Sequence, residues 1–205
     1  MPESRITLHG TELSGHTHRV EVLLRALDLP YRFVPSPPKI RRSDAFLALN
    51  PLGQVPVLQD GDLALADSNA IMVYLVKRYA PGSRWLPDDP VAAANVQRWL
   101  SIAAGEVAYG PNIARLIVAR GMPGDRSKAA ALTDRLLRFM DGHLGKRPYL
   151  AGAHPTIADL ACHSYIAAAP EGGIELEPFP AVCAWLRRIE NLPGFKPMPP
   201  ATPPT

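Results

Sequence analysis

The hydrophobic pattern at the start of the chain predicts a strand, a helix and a second strand. Ile6-Thr7-Leu8-His9 has the short pattern of a strand, and residues 20–27 carry apolar side chains at the i, i+3, i+4, i+7 spacing of an amphipathic helix. Tyr31-Arg32-Phe33-Val34 follows as a second strand. This order implies two parallel strands joined by a right-handed crossover.

A hairpin and a further helix are predicted next. Val57-Leu58 and Leu63-Ala64-Leu65 flank Asp60-Gly61, a dipeptide typical of tight hairpin turns. Ser68 then begins an apolar helical stripe that continues to Tyr79. The first part of the chain is therefore predicted to be a βαβ unit followed by a ββα unit.

Beyond residue 80 the strand pattern disappears and long helical patterns replace it. Gly110-Pro111 predicts a bend in the first long helix, because proline cannot bond to the carbonyl four residues back. Thr156-x-x-Asp159 is a capping box that opens a buried helix, so we interpret Asp159 as structural. The predicted organisation is a first domain at 1–80, a linker at 81–90, an all-helical domain at 91–196 and a Pro-rich, disordered tail at 197–205.

Composition narrows the classes of function. The 205 residues are 47% hydrophobic, enough for a proper core, yet no apolar run approaches the roughly 18 residues of a membrane span. The N-terminus has no signal-peptide pattern, so we expect a cytoplasmic protein without a membrane partner. The net charge is +3, but basic residues are not clustered with aromatic ones, and we expect no nucleic-acid partner.

Metal and dithiol chemistry are not indicated. Cys162 and Cys183 form no Cys-x-x-Cys pair. His16 and His18 are two residues apart, hence on different faces of a helix, and the sequence has no His-Glu-x-x-His motif. We expect no metal.

The stretch from Asn50 to Leu58 indicates a site for an extended peptide. Pro56 excludes the helical conformation at Val55, so the backbone of Val55 is available along an extended edge for pairing with a ligand. Asp67-Ser68 opens the next helix, where the Ser68 hydroxyl and first-turn amides can bind a carboxylate and Asp67 can bind an ammonium group. An α-amino acid head group carries both charges.

These two motifs together resemble the glutathione-binding half of the cytosolic glutathione S-transferases. The likeness extends to Pro155-Thr156-Ile157-Ala158-Asp159 and to the segment from Trp185 to Phe195. It implies an α/β thioredoxin-like N-terminal domain plus an all-α C-terminal helical domain, with glutathione as co-substrate and a homodimeric assembly. The implied activity is a glutathione transferase that activates the glutathione thiolate for attack on small hydrophobic electrophiles in detoxification.

The resemblance also implies which residues contact glutathione. Asp67 and Ser68 suit the γ-glutamyl head, and Val55, before a cis peptide bond to Pro56, pairs with the cysteinyl backbone. Gln54 is a further contact. Arg42 takes the glycyl carboxylate, with Lys39 and Arg41 as neighbouring competitors.

The loop between residues 10 and 18 contains the candidate thiol-activating residue. It has hydroxyl groups at Thr11, Ser14 and Thr17 and no tyrosine or cysteine, which disfavours the tyrosine-type and cysteine-type members. The segment from Ser14 to Val20 resembles the pattern of a serine-type bacterial member, so Ser14 is the catalytic candidate and Thr11 the reserve. Ser14 is also a good helix cap, and both roles can coexist.

The second substrate is expected between the domains. Position along the chain points to Leu13, Tyr109, Asn112 and Ile113 as its pocket, although Tyr109 and Ile113 also have the spacing of ordinary packing residues. Three enzymatic alternatives use the same thiolate: a glutathione-dependent isomerase, a peroxidase and a disulfide reductase. The alternative of another class is a noncatalytic glutathione-binding interaction module.

Overall fold

A computed structural model describes residues 5–201. The strands are β1 (Ile6–Gly10), β2 (Tyr31–Pro35), β3 (Val57–Asp60) and β4 (Leu63–Ala66). The helices are α1 (Gly15–Ala26), α2 (Pro38–Arg41), α3 (Asp44–Leu49), α4 (Ser68–Tyr79), α5 (Pro90–Ile102), α6 (Ile113–Arg120), α7 (Arg126–Leu144), α8 (Ile157–Ala167) and α9 (Pro180–Glu190). A π-helical stretch, Ala103–Asn112, joins α5 to α6, and a 3₁₀ turn, Ala169–Gly172, follows α8.

The four strands form one mixed sheet in the order β2-β1-β3-β4. β1 runs parallel to β2, with Ile6 opposite Tyr31, and antiparallel to β3, with Leu8 opposite Leu58. β3 and β4 form the predicted hairpin, at which Gly61 has a positive φ of 59°. The predicted βαβ and ββα units and the thioredoxin-like fold class are confirmed.

One continuous core joins the sheet to the helical part. α1 and α4 pack on the sheet and on each other, and α8 packs against both of them. Leu8 of the sheet, Leu23 of α1 and Ile71 of α4 are fully buried, as is Trp185 of α9. Because α8 belongs to the helical domain, it holds the N-terminal end of α1 in place from the other domain, through contacts of Tyr165 with Gly15 and of Ser164 with His18.

Helical structure continues through Gly110-Pro111. Gly110-Pro111 lies at the end of a π-helical stretch from Ala103 to Asn112, and both proline and π turns are features at which helices bend. The wider π turn accommodates the missing proline N–H and the ring that would clash with the preceding turn of an α-helix. Gly110 lets α7 approach closely, since a Cβ atom there would lie 3.0 Å from Thr133 Oγ1.

The capping box at the start of α8 is confirmed, and Asp159 is structural. Its Oδ2 accepts from the Thr156 N–H at 2.8 Å, and its Oδ1 accepts from the Leu150 N–H and the Trp185 indole N–H, both at 2.9 Å. All of these donors are thereby satisfied within the core. Asp159 is therefore committed to the junction of α8, α9 and the preceding loop.

Thr156→Ala should lower the free energy of unfolding by about 1 kcal/mol, because the Thr156 hydroxyl oxygen accepts from the Ala158 N–H and alanine offers no acceptor. Thr156→Ser keeps that oxygen and is the matched control. Denaturant unfolding of the three proteins checks this, and equal stability of the alanine and serine variants would contradict the capping role.

The Pro-rich tail was expected to be disordered, and this is wrong for its described part. Residues 197–201 form no helix or strand, but Ala201 is 8% exposed and its N–H donates to Glu171 Oε2 at 3.3 Å. Just before residue 197, the Lys196 carbonyl accepts a 2.7 Å hydrogen bond from His18 Nε2. Residues 202–205 lie outside the described residues. The segment therefore packs back over α1 and the 3₁₀ turn.

Among residues 5–201, no helix combines the length and the apolar composition that a membrane span requires.

Candidate active site

The loop before β3 forms one wall of the first cleft. The Val55-Pro56 peptide bond is cis, as predicted from the resemblance. Asn50 holds the loop together: its Nδ2 donates to the Gln54 carbonyl at 3.0 Å and its Oδ1 accepts from the Leu52 N–H at 3.1 Å. This fixes the loop without using the backbone polar groups of Val55.

Asp67 and Ser68 form the opposite wall. We call this first space the head-group cleft; it has a volume of about 240 Å³, and its lining includes Gln54, Val55, Pro56, Asp67 and Ser68, all predicted from the sequence. Ser68 is 3% exposed, so only a small part of its surface faces the cleft. The structure thus brings together two sequence motifs that lie on different elements.

Asp67 also has a structural role that the sequence analysis did not assign to it. It is the N-cap of α4, and its Oδ1 accepts from the Asn69 and Ala70 N–H groups, both at 2.9 Å. Two of the first-turn amides that we expected to be free for a ligand carboxylate are therefore occupied. The second oxygen of Asp67 stays available to an ammonium group.

Ser14 lies at the start of α1, between the two domains. It is the N-cap of α1, and its Oγ accepts from the Thr17 N–H at 3.3 Å. Thr11 is close by, with its N–H donating to Thr17 Oγ1 at 3.4 Å. Both hydroxyl candidates line a second space, the interdomain cleft, of about 420 Å³.

Tyr165 of α8 reaches this loop from the helical domain and was missed by the sequence analysis. Its ring packs against Gly15 so tightly that a Cβ atom there would lie 2.6 Å from Tyr165 Cε1. Burial raises the pKa of Tyr165, while the Arg19 guanidinium, the His16 N–H and the Ser14 hydroxyl act in the opposite direction. The Tyr165 hydroxyl is therefore close to Ser14 and shares its hydrogen-bonding surroundings.

His16 lines both clefts and was considered only as a metal ligand from the sequence. Its Nδ1 lies 3.2 Å from Ser68 Oγ, and its ring meets that of Tyr165 edge-on at 5.2 Å. Burial, followed by the nearby Arg19 charge, lowers the pKa of His16 to about 3, so the ring is neutral at pH 7. The two clefts are adjacent, and His16, Gln54 and Val55 line both.

His16 and His18 lie on different faces of α1, as their spacing predicted. His18 points into α8, where its Nδ1 is 2.8 Å from Ser164 Oγ. Burial lowers the pKa of His18 to about 4. In the part of the chain that the structure describes, no three His, Cys, Asp or Glu side chains form a group that could hold a metal ion.

Arg19 places a buried positive charge beneath the site. Its side chain is fully buried; its Nη1 lies 3.3 Å from Asn69 Oδ1 and 3.5 Å from Ser68 Oγ, and its guanidinium carbon is 5.7 Å from the Tyr165 ring centre. Burial lowers the pKa of Arg19 from its ordinary value, and the nearby Tyr165, Cys162 and Asp67 partly offset this by raising it. The cation therefore stands under both the Ser68 end and the Tyr165 end of the site.

The basic loop contributes Arg41 to the interdomain cleft, where Arg42 was predicted. Arg41 is half-buried and lines the cleft, whereas Arg42 is exposed and lines neither cleft. One step along a helix rotates the side chain by about 100°, which separates neighbours in sequence onto different faces. Arg41, one of the two competitors that the sequence left open, is thus the residue of the basic loop that lines the cleft.

Two of the four residues predicted for the electrophile pocket line the interdomain cleft, and two do not. Leu13 and Asn112 line the interdomain cleft, but Tyr109 is 66% exposed and neither it nor Ile113 lines the cleft. The residues that do so on the same helix are Arg115, Leu116 and Arg120. Position along the chain does not fix which face of a helix meets the cleft, and here Asn112, Leu116 and Arg120, four residues apart, share the face that does.

Comparison with known proteins agrees with this geometry. The profile of the glutathione S-transferase N-terminal domain matches residues 8–84, and that of the glutathione S-transferase C-terminal domain matches residues 117–193. The chain belongs to the glutathione S-transferase family. The predicted family and the predicted class of enzyme, a glutathione transferase, are thereby confirmed.

Individual family members are similar over nearly the whole chain. Glutathione S-transferase 3 of Zea mays is 32% identical over 207 residues, covering 93% of this chain and 91% of that protein. A crystal structure of a glutathione S-transferase from Pseudomonas fluorescens Pf-5 superposes with a TM-score of 0.88 at 32% identity, covering 95% of this chain and 99% of that one. A theta class enzyme from Xanthomonas axonopodis pv. citri, solved with glutathione bound, has a TM-score of 0.83 at 30% identity, with 94% and 95% covered.

Proposed function

We propose that this chain is a serine-type glutathione transferase of the kind found in bacteria, in which the Ser14 hydroxyl donates a hydrogen bond to the glutathione thiolate. The observation that carries the proposal is the position of Ser14 at the start of α1, in a cleft adjacent to the one lined by Val55, Asp67 and Ser68. A single extended tripeptide can therefore reach from Asp67 to Ser14.

Glutathione is proposed to bind by charge and by strand pairing. Asp67 receives the ammonium of the γ-glutamyl head, and Ser68 receives its carboxylate above the buried Arg19. The backbone of Val55, preceding the cis bond to Pro56, pairs with the cysteinyl residue, and Gln54 lies beside it. Arg41 takes the glycyl carboxylate. This arrangement is supported by the lining of the two clefts.

Thiolate formation at pH 7 requires a lowered pKa, since an ordinary cysteine thiol has a pKa near 8.5. A shift of about two units is worth roughly 3 kcal/mol. The positive end of α1 and the Ser14 hydroxyl both favour the anion. Ser14 Oγ accepts from the Thr17 N–H, which leaves the hydrogen of the Ser14 hydroxyl as the donor proposed for the sulfur.

The thiolate is proposed to attack a small electrophile in the interdomain cleft, which is lined in part by Leu13 and Asn112. An isomerase, a peroxidase or a disulfide reductase would use the same thiolate. Assays with unsaturated carbonyl, aryl halide, hydroperoxide and mixed-disulfide substrates, each with and without glutathione, separate these activities. A noncatalytic glutathione-binding module would turn over none of them and would leave the pKa of the bound thiol at its ordinary value.

The chain is further proposed to work as a cytoplasmic homodimer, with the first domain of one copy against the helical domain of the other. Two exposed apolar side chains support this: Leu52 of the first domain is 77% exposed and Val91 of the helical domain is 71% exposed.

Light scattering at micromolar concentration should give twice the chain mass of 22.2 kDa. The physical reason is that a dimer would cover the apolar surface around these two side chains. A mass of one chain, in a sample that still binds glutathione, would contradict the homodimer.

A further inference from the structure

The interdomain cleft is cationic. Three arginines line it, Arg41, Arg115 and Arg120, and among the described residues that line it there is no aspartate or glutamate. A cleft built for a purely apolar electrophile would not need to hold several guanidinium groups near one another, because bringing like charges together costs free energy. The lining therefore points to an anionic ligand.

Arg115 is held rigidly, and one of its nitrogens has no acceptor. Its side chain is 4% exposed; Nε forms a 2.7 Å ion pair with Glu171 Oε2, and Nη1 donates to the Leu13 carbonyl at 3.0 Å. Its third nitrogen, Nη2, is buried and has no hydrogen-bond acceptor. A buried donor without an acceptor is costly, and an acceptor supplied by a ligand removes that cost.

The rigidity of Arg115 has a clear origin. The 3₁₀ turn that carries Glu171 lies against α6 at Gly172, where a Cβ atom would be 2.7 Å from the Arg115 backbone nitrogen. This close approach places the Glu171 carboxylate on the guanidinium from outside the cleft, since Glu171 does not line it. Arg115 is therefore oriented before any ligand arrives.

Arg120 supplies a second cation at the mouth of the cleft. It is the last residue of α6, before Gly121 ends the helix with a φ of 62°. It lies on the same face as Asn112 and Leu116, and it forms no ion pair with any residue between 5 and 201. Arg120, exposed and unpaired, and Arg115, buried, both line the cleft and are guanidinium donors of the kind that suits a carboxylate.

The charges of glutathione do not account for these two arginines. In the arrangement proposed above, its ammonium is bound by Asp67, its γ-glutamyl carboxylate by Ser68 and its glycyl carboxylate by Arg41. Arg115 and Arg120 stand on α6, in the part of the cleft contributed by the helical domain. Their partner must come with the second substrate.

We propose that the electrophile accepted by this enzyme bears a carboxylate, which Arg120 and the free nitrogen of Arg115 bind while the thiolate at Ser14 attacks the reactive carbon. This rests on the proposed transferase function. With an aryl chloride, the sulfur–carbon bond forms, the carbon–chlorine bond breaks and chloride leaves with the bonding electrons; the thiol proton has already passed to solvent. The carboxylate takes no part in the bond changes and serves to bind and orient.

A matched pair of substrates tests this proposal. 4-Chloro-3-nitrobenzoate and its methyl ester share the reacting carbon and the leaving group and differ in charge. After division by the uncatalysed rate with glutathione, kcat/KM should favour the acid by about tenfold, the effect of a charge-assisted hydrogen bond. Arg120→Gln should abolish this preference through KM for the acid, leaving the ester within about twofold.

The control variant is Arg135→Gln on α7, which removes the same charge from an exposed position outside the cleft and should keep the preference. The proposal would be overturned if Arg120→Gln lowered kcat/KM equally for the acid and the ester. It would also be overturned if Arg135→Gln lost the preference for the acid as fully as Arg120→Gln does. So would weaker glutathione binding by calorimetry in Arg120→Gln, because the arginine would then belong to the glycyl carboxylate.

A binding measurement keeps this test separate from the proposed catalysis. S-Methylglutathione fills the glutathione site and cannot react, so titration of its complex with 4-chloro-3-nitrobenzoate reports anion binding alone. Binding that is about tenfold weaker in Arg120→Gln supports the inference even if neither compound is turned over, in which case only the transferase function fails. Equal affinity in both proteins overturns the inference while turnover of the ester still supports the transferase.

Discussion

Ser14→Ala should raise the pKa of bound glutathione by about one unit and lower turnover at pH 6.5 by up to about tenfold. The variant loses a hydrogen-bond donor to the thiolate, so the anion is less favoured and the thiolate fraction falls at any pH below the new pKa. Turnover should recover as the pH rises through that value. The near-ultraviolet absorbance of the thiolate, followed during a pH titration of the complex, measures the pKa directly.

The affinity for glutathione should change by only a few fold in this variant, because the contacts made by Val55, Asp67 and Ser68 remain. Ser14 also caps α1, so alanine removes a structural acceptor together with the donor. Ser14→Gly is the matched control: it lacks the hydroxyl, while glycine at an N-cap costs only a few tenths of a kcal/mol. Both variants should show the same shift in thiol pKa.

Two other results would change the assignment. If Ser14→Ala titrates like the unmodified protein and Thr11→Ala shifts the curve upward, Thr11 is the activating residue; its position in the same cleft permits this. If the unmodified protein already shows the pKa of a free thiol and neither variant moves it, the noncatalytic glutathione-binding module becomes the better interpretation.

Charge reversal at Asp67 should weaken glutathione binding about ten- to a hundredfold, the effect of losing a charge-assisted hydrogen bond worth about 1.5 to 3 kcal/mol. Asp67 is proposed to bind the ligand ammonium, whereas Asp62 is exposed at the hairpin turn and lines neither cleft. Asp67→Lys and Asp62→Lys make the same change in net charge. Calorimetry with glutathione should show a clear loss only for the first.

The capping role of Asp67 calls for one more variant. Its Oδ1 accepts from the Asn69 and Ala70 N–H groups, and lysine cannot replace that acceptor. Asp67→Asn keeps a capping oxygen and removes the charge, since asparagine is an equally good N-cap. Weakened binding in Asp67→Asn with normal stability identifies the charge as the cause. Equal affinities at positions 62 and 67 would show that the head group binds elsewhere.

Local sequence patterns were sufficient for the elements and for half of the site. The strands, the hairpin at Gly61, the capping box from Thr156 to Asp159 and the cis bond before Pro56 depend on residues within a few positions of one another. The same is true of the Ser14 cap on α1. Short-range hydrogen bonds and backbone restrictions determine such features, so a single segment, read alone or by family resemblance, is informative about them.

The amino-acid sequence by itself therefore determined the family, the fold class, and the motifs at Ser14, Val55 and Asp67. Tertiary structure decided which side chains face the interdomain cleft. Arg41 lines it instead of Arg42, and Arg115 and Arg120 line it instead of Tyr109. Tertiary structure also placed Tyr165 against Gly15. These outcomes depend on the rotation of each helix about its axis and on contacts between residues about 150 positions apart. Packing of the whole core determines the helix rotations and the long-range contacts, and a short segment of sequence contains no information about either.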